Sequence, residues 1–251
     1  MIPGDPIHEA LPAAGPLPAP VPQAEPFWGY KDLLTLLCLS FSGLALAFLT
    51  FALLTFTPLS LPLRLFVLQV VFYIFSLGSL AALFRLRYQQ PLWRSLGWKT
   101  LPLSSAAASL FAGPFLALGL AIAGALLRTP ELELPFQQML GKRQIIVLFG
   151  VLVVLLGPLY EELIFRGFMM PLLTRTFGAV AGILLTGFLF GCAHGYEYQW
   201  SWRHILLIFT AGSIFGWARY KTGSTTAAAF MHATFNLTQF AAFLAQARTN
   251  I

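Results

Sequence analysis

Long apolar runs separated by short polar breaks make up the chain from Leu33 onward, with essentially no ionisable residues in the interiors of most of them. Seven stretches approach the ~20 residues that a spanning helix needs. They run over Leu33–Phe56, Leu65–Phe84, Leu101–Leu127, Gln144–Leu173, Gly178–His194, His204–Ala218 and Thr222–Ala245. Pro58 and Pro62 mark a tight turn between the first two, and Gly223 a turn before the last. The pattern predicts an all-α, polytopic transmembrane helix bundle of about seven spans. Residues 1–26 are rich in Pro and Ala and hold neither Lys nor Arg nor a signal-length apolar core, so they read as a disordered, extended tail.

Composition agrees and narrows the function classes. The chain is 58% hydrophobic and only 10% charged, a balance that leaves too little polar surface for a soluble domain of this length. Its net charge of +6 comes from Lys and Arg scattered singly between apolar runs, which suits loops facing anionic headgroups and excludes a nucleic-acid-binding face. Arg85, Arg87, Arg94 and Lys99 form the densest basic cluster, so the loop between the second and third spans is expected in the cytoplasm, and the N-terminus with it. Trp93, Trp98, Tyr196, Tyr198, Trp200 and Trp202 fall near span ends as an interfacial aromatic belt would. Cys38 and Cys192 both lie in apolar segments, which makes a disulfide framework improbable.

Against this background the ionisable residues inside spans stand out: Glu161, Glu162, Arg166, His194 and His232, with Asn236 as an uncharged partner. Adjacent carboxylates at membrane depth cost several kcal/mol unless paired, hydrated or neutralised, so they mark a functional site by default. Counted from the turn near Phe177–Gly178 at 1.5 Å per residue, Glu161 and His194 lie at similar depth, roughly 24 and 26 Å along antiparallel neighbours. His232 and Asn236 lie roughly 15 and 21 Å along the last helix. All four can therefore face one cavity within the membrane. Glu162 and Arg166 are four residues apart on one helix face and can pair. Glu161 points about 100° away, which leaves it the better candidate for taking up and releasing a proton. Phe190, one turn before His194, reads as packing that holds the histidine. A single intramembrane histidine often bridges helices for structural reasons alone; four such groups at one depth on three helices fit a site better.

These residues fall into three motifs that resemble the CAAX-prenyl-endopeptidase and bacteriocin-processing family, called CPBP or ABI. Glu161-Glu162-Leu-Ile-Phe-Arg166 is similar to its E-E-x-x-x-R motif, Phe190-Gly-Cys-Ala-His194 to F-x-x-x-H, and His232-Ala-Thr-Phe-Asn236 to H-x-x-x-N. The resemblance covers roughly residues 90 to 245, and divides the chain into the tail, an N-terminal helix pair with its basic loop over 27–100, and a CPBP-like core over 101–247. It implies an intramembrane endopeptidase in a bacterial inner membrane, acting on a membrane-associated or lipidated protein or peptide. Carried over by position, it makes Glu161 the general base on a water that His194 helps hold, His232 and Asn236 oxyanion donors, and Glu162 with Arg166 a brace. No cofactor is favoured. A zinc enzyme using Glu161, His194 and His232 as ligands is the alternative, although the chain lacks H-E-x-x-H. A non-catalytic scaffold or immunity protein of the same fold, and a proton-coupled transporter, are the readings outside proteolysis. Intact motifs weigh against the first, and the lack of an internal repeat against the second.

Overall fold

The computed structural model describes residues 25–132 and 143–249; most of the Pro/Ala-rich tail and Lys142 lie outside the described residues. Within them every regular element is helical. Eight helices follow in order: α1 Tyr30–Leu54, α2 Leu61–Tyr88, the short α3 Leu92–Ser95, α4 Leu103–Leu126, α5 Arg143–Phe177, α6 Ala179–Ala193, α7 Trp202–Thr222 and α8 Thr225–Thr249. The seven long ones coincide with the seven predicted spans. Four of them, α1, α2, α4 and α5, are long and apolar enough by themselves to cross a membrane. Helix α6 has only 15 residues, roughly 22 Å of helix against a hydrocarbon core of about 30 Å. The outer faces carry Phe41, Ile74, Phe111, Phe115 and Val180 well exposed, a surface that lipid tolerates and water would not. The protein is an integral membrane protein.

Helix α5 is not continuous α-helix. Residues Leu152–Leu156 and Leu163–Met169 adopt π geometry on either side of the α-helical turn Gly157–Glu162. Each wide segment runs into a proline, Pro158 or Pro171, which has no N–H to continue the ladder. Such bulges are frequent at functional sites, where the extra residue turns the following side chains to a new face. Here that turn is the one carrying both glutamates.

Two devices bring the last helices to α5. Gly178, at φ +81°, reverses the chain in a single residue between α5 and α6. Helix α6 then meets α7 through Gly187 and Gly191, where an added Cβ would lie about 3 Å from backbone atoms of Ser213, Phe209 and Ile205. This close approach is the small-residue packing typical of membrane helices.

The N-terminal pair is fastened to the same core. Trp28 buries its ring against Phe84 and Phe168 and donates Nε1–H to the Phe168 carbonyl at 3.0 Å. Asp32, buried at the start of α1, accepts from the Gly29 N–H at 2.8 Å, Arg87 at 2.8 Å and the Tyr88 hydroxyl at 2.7 Å. The basic loop after α2 folds inward instead of trailing in solvent. Leu96 is buried, and its carbonyl accepts from Thr225 Oγ1 while the Thr225 N–H donates to the Gly97 carbonyl at 2.9 Å. Thr226 Oγ1 donates to the Lys99 carbonyl at 2.8 Å.

Candidate active site in the membrane core

Glu162 is the hub. Its Oε1 accepts from Arg166 Nη1 at 2.7 Å and from His232 Nδ1 at 2.8 Å, and all three side chains are buried. The predicted i, i+4 ion pair is therefore present, and α8 adds a third member from seventy residues further along the chain. Arg166 continues the network by donating Nη2–H to the Gly212 carbonyl of α7 at 2.7 Å, while its guanidinium lies 4.4 Å from the centre of the Phe190 ring and 5.5 Å from that of Phe215. Gly212 permits this: a Cβ there would come 3.1 Å from Arg166 Nη2 and 2.9 Å from Phe190. The pair is single-pronged, with Glu162 Oε2 and Arg166 Nε buried without a protein partner among the described residues. A buried pair so incompletely satisfied is a weak stabiliser, and its value lies in fixing positions.

Glu161 is the accessible member. Its side chain is 23% exposed, against none for Glu162, and its Oε2 lies 3.8 Å from His232 Nε2. That spacing is too long for a direct hydrogen bond and short enough for one water to touch both groups. Because Nδ1 of His232 is held by Glu162, Nε2 is the atom turned toward Glu161. This is the carboxylate behind a histidine that the sequence could not assign.

His194 ends α6. Its Nδ1 sits 2.8 Å from the Phe190 carbonyl, an acceptor only, so Nδ1 carries a hydrogen, and in the neutral ring Nε2 keeps its lone pair. Phe190 links the two imidazoles, its ring centre 4.7 Å from that of His194 and 5.7 Å from that of His232. Phe215 stacks on the other side of His232 at 4.6 Å.

Asn236 has a task that sequence reading missed. Its Nδ2 donates at 2.7 Å to the Val153 carbonyl. In the π register of Leu152–Leu156 the Gly157 N–H bonds to the Leu152 carbonyl, so the next carbonyl, Val153, would need the N–H that Pro158 lacks. Asn236 supplies it. One amide hydrogen remains for another acceptor.

The site also has a wall from α2. Tyr73 and Tyr160 stack with ring centres 4.2 Å apart, and Tyr160 shares a hydrogen bond with Ser76 at 3.1 Å. Gln69, Tyr73 and Ser76 recur at i, i+4 and i+7, the signal that could have revealed this face in an otherwise apolar span.

The zinc alternative calls for three ligands around one point. Glu161 and His232 approach each other, but no group of three His, Cys, Asp or Glu side chains among the described residues converges closely enough to hold a metal ion. In this arrangement the three side chains do not form a three-ligand zinc site.

Residues 143–238 match the Rce1-like family model, described as type II CAAX prenyl endopeptidase. The Rce1-like segment begins with α5 and contains all three motifs, in agreement with the resemblance they carry. It implies a membrane peptidase with a protein or peptide substrate. Helices α1, α2 and α4 lie outside it. No curated protein and no solved structure matches the chain.

Proposed function

We propose that the protein is an intramembrane endopeptidase in which Glu161 activates a water to hydrolyse a peptide bond of a lipidated or otherwise membrane-associated protein, with a prenylated C-a-a-X sequence as the first substrate class to test. The observation that carries this reading is the pairing of an accessible Glu161 with His232 Nε2 across 3.8 Å, while Glu162 holds the far side of the same imidazole. Water between them would give its proton to Glu161 as its oxygen attacks the scissile carbonyl. The carbonyl electron pair moves to oxygen. Collapse of the tetrahedral intermediate breaks the C–N bond, and the proton on Glu161 goes to the leaving amine. His194, tied to Phe190 through Nδ1, offers Nε2 to the same water from α6. His232, through Nε2 whenever that nitrogen carries a hydrogen, and the second amide hydrogen of Asn236 are donors for the oxyanion.

A quenched-fluorescent farnesylated C-a-a-X peptide added to purified protein in detergent tests the proposal. Wild-type protein should cleave it and Glu161→Gln should not. Cleavage that persists in Glu161→Gln would overturn the base assignment. Activity that vanishes on exhaustive chelation and returns with zinc would replace the metal-free mechanism.

A further inference from the structure

We infer that Tyr73 of α2 is a further catalytic residue, its hydroxyl donating a hydrogen bond to the oxyanion that forms when the water on Glu161 attacks. The inference rests on the endopeptidase reading above and adds to it a residue outside the matched segment.

Three observations place the hydroxyl. Gly157 has no side chain, and the space a Cβ would take is bordered by Tyr73 Oη at 3.7 Å, Glu161 Oε1 at 3.8 Å and the Leu152 carbonyl at 3.1 Å. A phenol and the proposed base thus look onto one notch from opposite helices. Second, the Tyr73 ring is locked by its 4.2 Å stack on Tyr160, whose own hydroxyl is held by Ser76, so the hydroxyl keeps its place without a wide rotamer search. Third, the other donors of the site are half committed, which leaves room for one more. Asn236 spends one amide hydrogen on Val153, and His232 spends Nδ1–H on Glu162. A neutral O–H at membrane depth is an effective oxyanion donor, because it needs no counter-ion and is already oriented before charge develops.

The step keeps its balance. The water oxygen bonds to the carbonyl carbon, its proton passes to Glu161, and the carbonyl π pair becomes the oxyanion that Tyr73 contacts. Tyr73 keeps its proton throughout. When the C–N bond breaks, the proton on Glu161 leaves with the amine.

Turnover of the farnesylated C-a-a-X peptide by Tyr73→Phe tests this. Phe preserves the ring and its stack and gives up only the hydroxyl's hydrogen bond with Gln69, so the melting temperature in detergent should fall little. The expected result is a kcat lower by ~10²- to 10³-fold, the cost of one oxyanion donor, with KM little changed. A phosphinate analogue of the same peptide, a stable tetrahedral anion, should lose affinity by a similar factor while the uncleaved peptide does not. Gly157→Ala keeps the hydroxyl but fills the notch, and should lose turnover as well. Near-normal kcat in Tyr73→Phe, or impairment of Tyr73→Leu but not of Tyr73→Phe, overturns the inference and leaves the endopeptidase standing. A wild-type protein that cleaves nothing removes both.

Discussion

Two adjacent glutamates separate into different kinds of group because one is 23% exposed beside an imidazole and the other is fully buried between two cations or donors. Glu161→Gln should therefore lower peptide turnover by at least ~10²-fold, the worth of a general base, with an unchanged melting temperature. Breaking the buried partner should do the opposite. Glu162→Ala and Arg166→Ala should each lower thermal stability markedly, since either takes the ion-pair partner from a buried charge, by ~3–5 kcal/mol. The double variant should lose less than the sum of the two, and full additivity in thermal melts would mean the pair does not interact. The different roles of the glutamates follow from the i, i+4 spacing of Glu162 and Arg166, which sequence makes plain. What sequence could not give is the third partner, His232, because seventy residues separate it from Glu162 and no local pattern encodes the approach of α8.

Helix α5 departs from regular geometry at the place where the site is built, and its irregularity is supported from another helix. Pro158 leaves the Val153 carbonyl without a backbone donor, and Asn236 of α8 answers it. Losing that donor should cost about 1 kcal/mol, the low end of the penalty for an orphaned acceptor because the carbonyl is only half-buried. Thermal melts of four proteins check the logic: wild type, Asn236→Ala, Pro158→Ala and the double variant. Because alanine at 158 restores an N–H, Asn236→Ala should cost less stability in the Pro158→Ala background than in the wild type. Equal costs would mean that Asn236 does not serve that carbonyl. The apolar runs made the helices and most of their ends legible, and Gly157-Pro158 marked a place of irregularity. The π register was not legible, since it depends on which carbonyls find donors on other helices. Likewise the small-residue contacts of Gly187, Gly191 and Gly212 identify faces only once the partner helix is known.

For the whole molecule, the helix bundle and the convergence of motifs on one region were readable from hydropathy and from the rarity of charge inside spans. The contribution of α2 was carried only by the faint i, i+4, i+7 spacing of Gln69, Tyr73 and Ser76, which have no charge and lie outside the segment that resembles known peptidases. Orientation is the property left for experiment. The ends of α1, α2, α5 and α7 at one side of the bundle carry Lys31, Arg85, Arg87, Arg175, Arg219 and Lys221, and α3 with the loop after it adds Arg94 and Lys99, which predicts that this side faces the cytoplasm. Single cysteines placed at Arg94 and at Arg203, in a background lacking Cys38 and Cys192, should show protection and labelling respectively with an impermeant thiol reagent on intact cells. The reverse pattern would invert the orientation.

The seventy-residue gap between Glu162 and His232 also sets an order of birth. At a synthesis rate of about 5–20 residues per second, the carboxylate leaves the ribosome roughly 4 to 14 s before the imidazole that completes its environment. During that interval Arg166, four residues away, is the one partner in the hub that travels with it. A pair formed that early would let an acidic helix enter the bilayer before the finished site exists. A nascent chain without it would present a naked carboxylate to the insertion machinery, and the cell would see the defect as lost protein before any loss of chemistry.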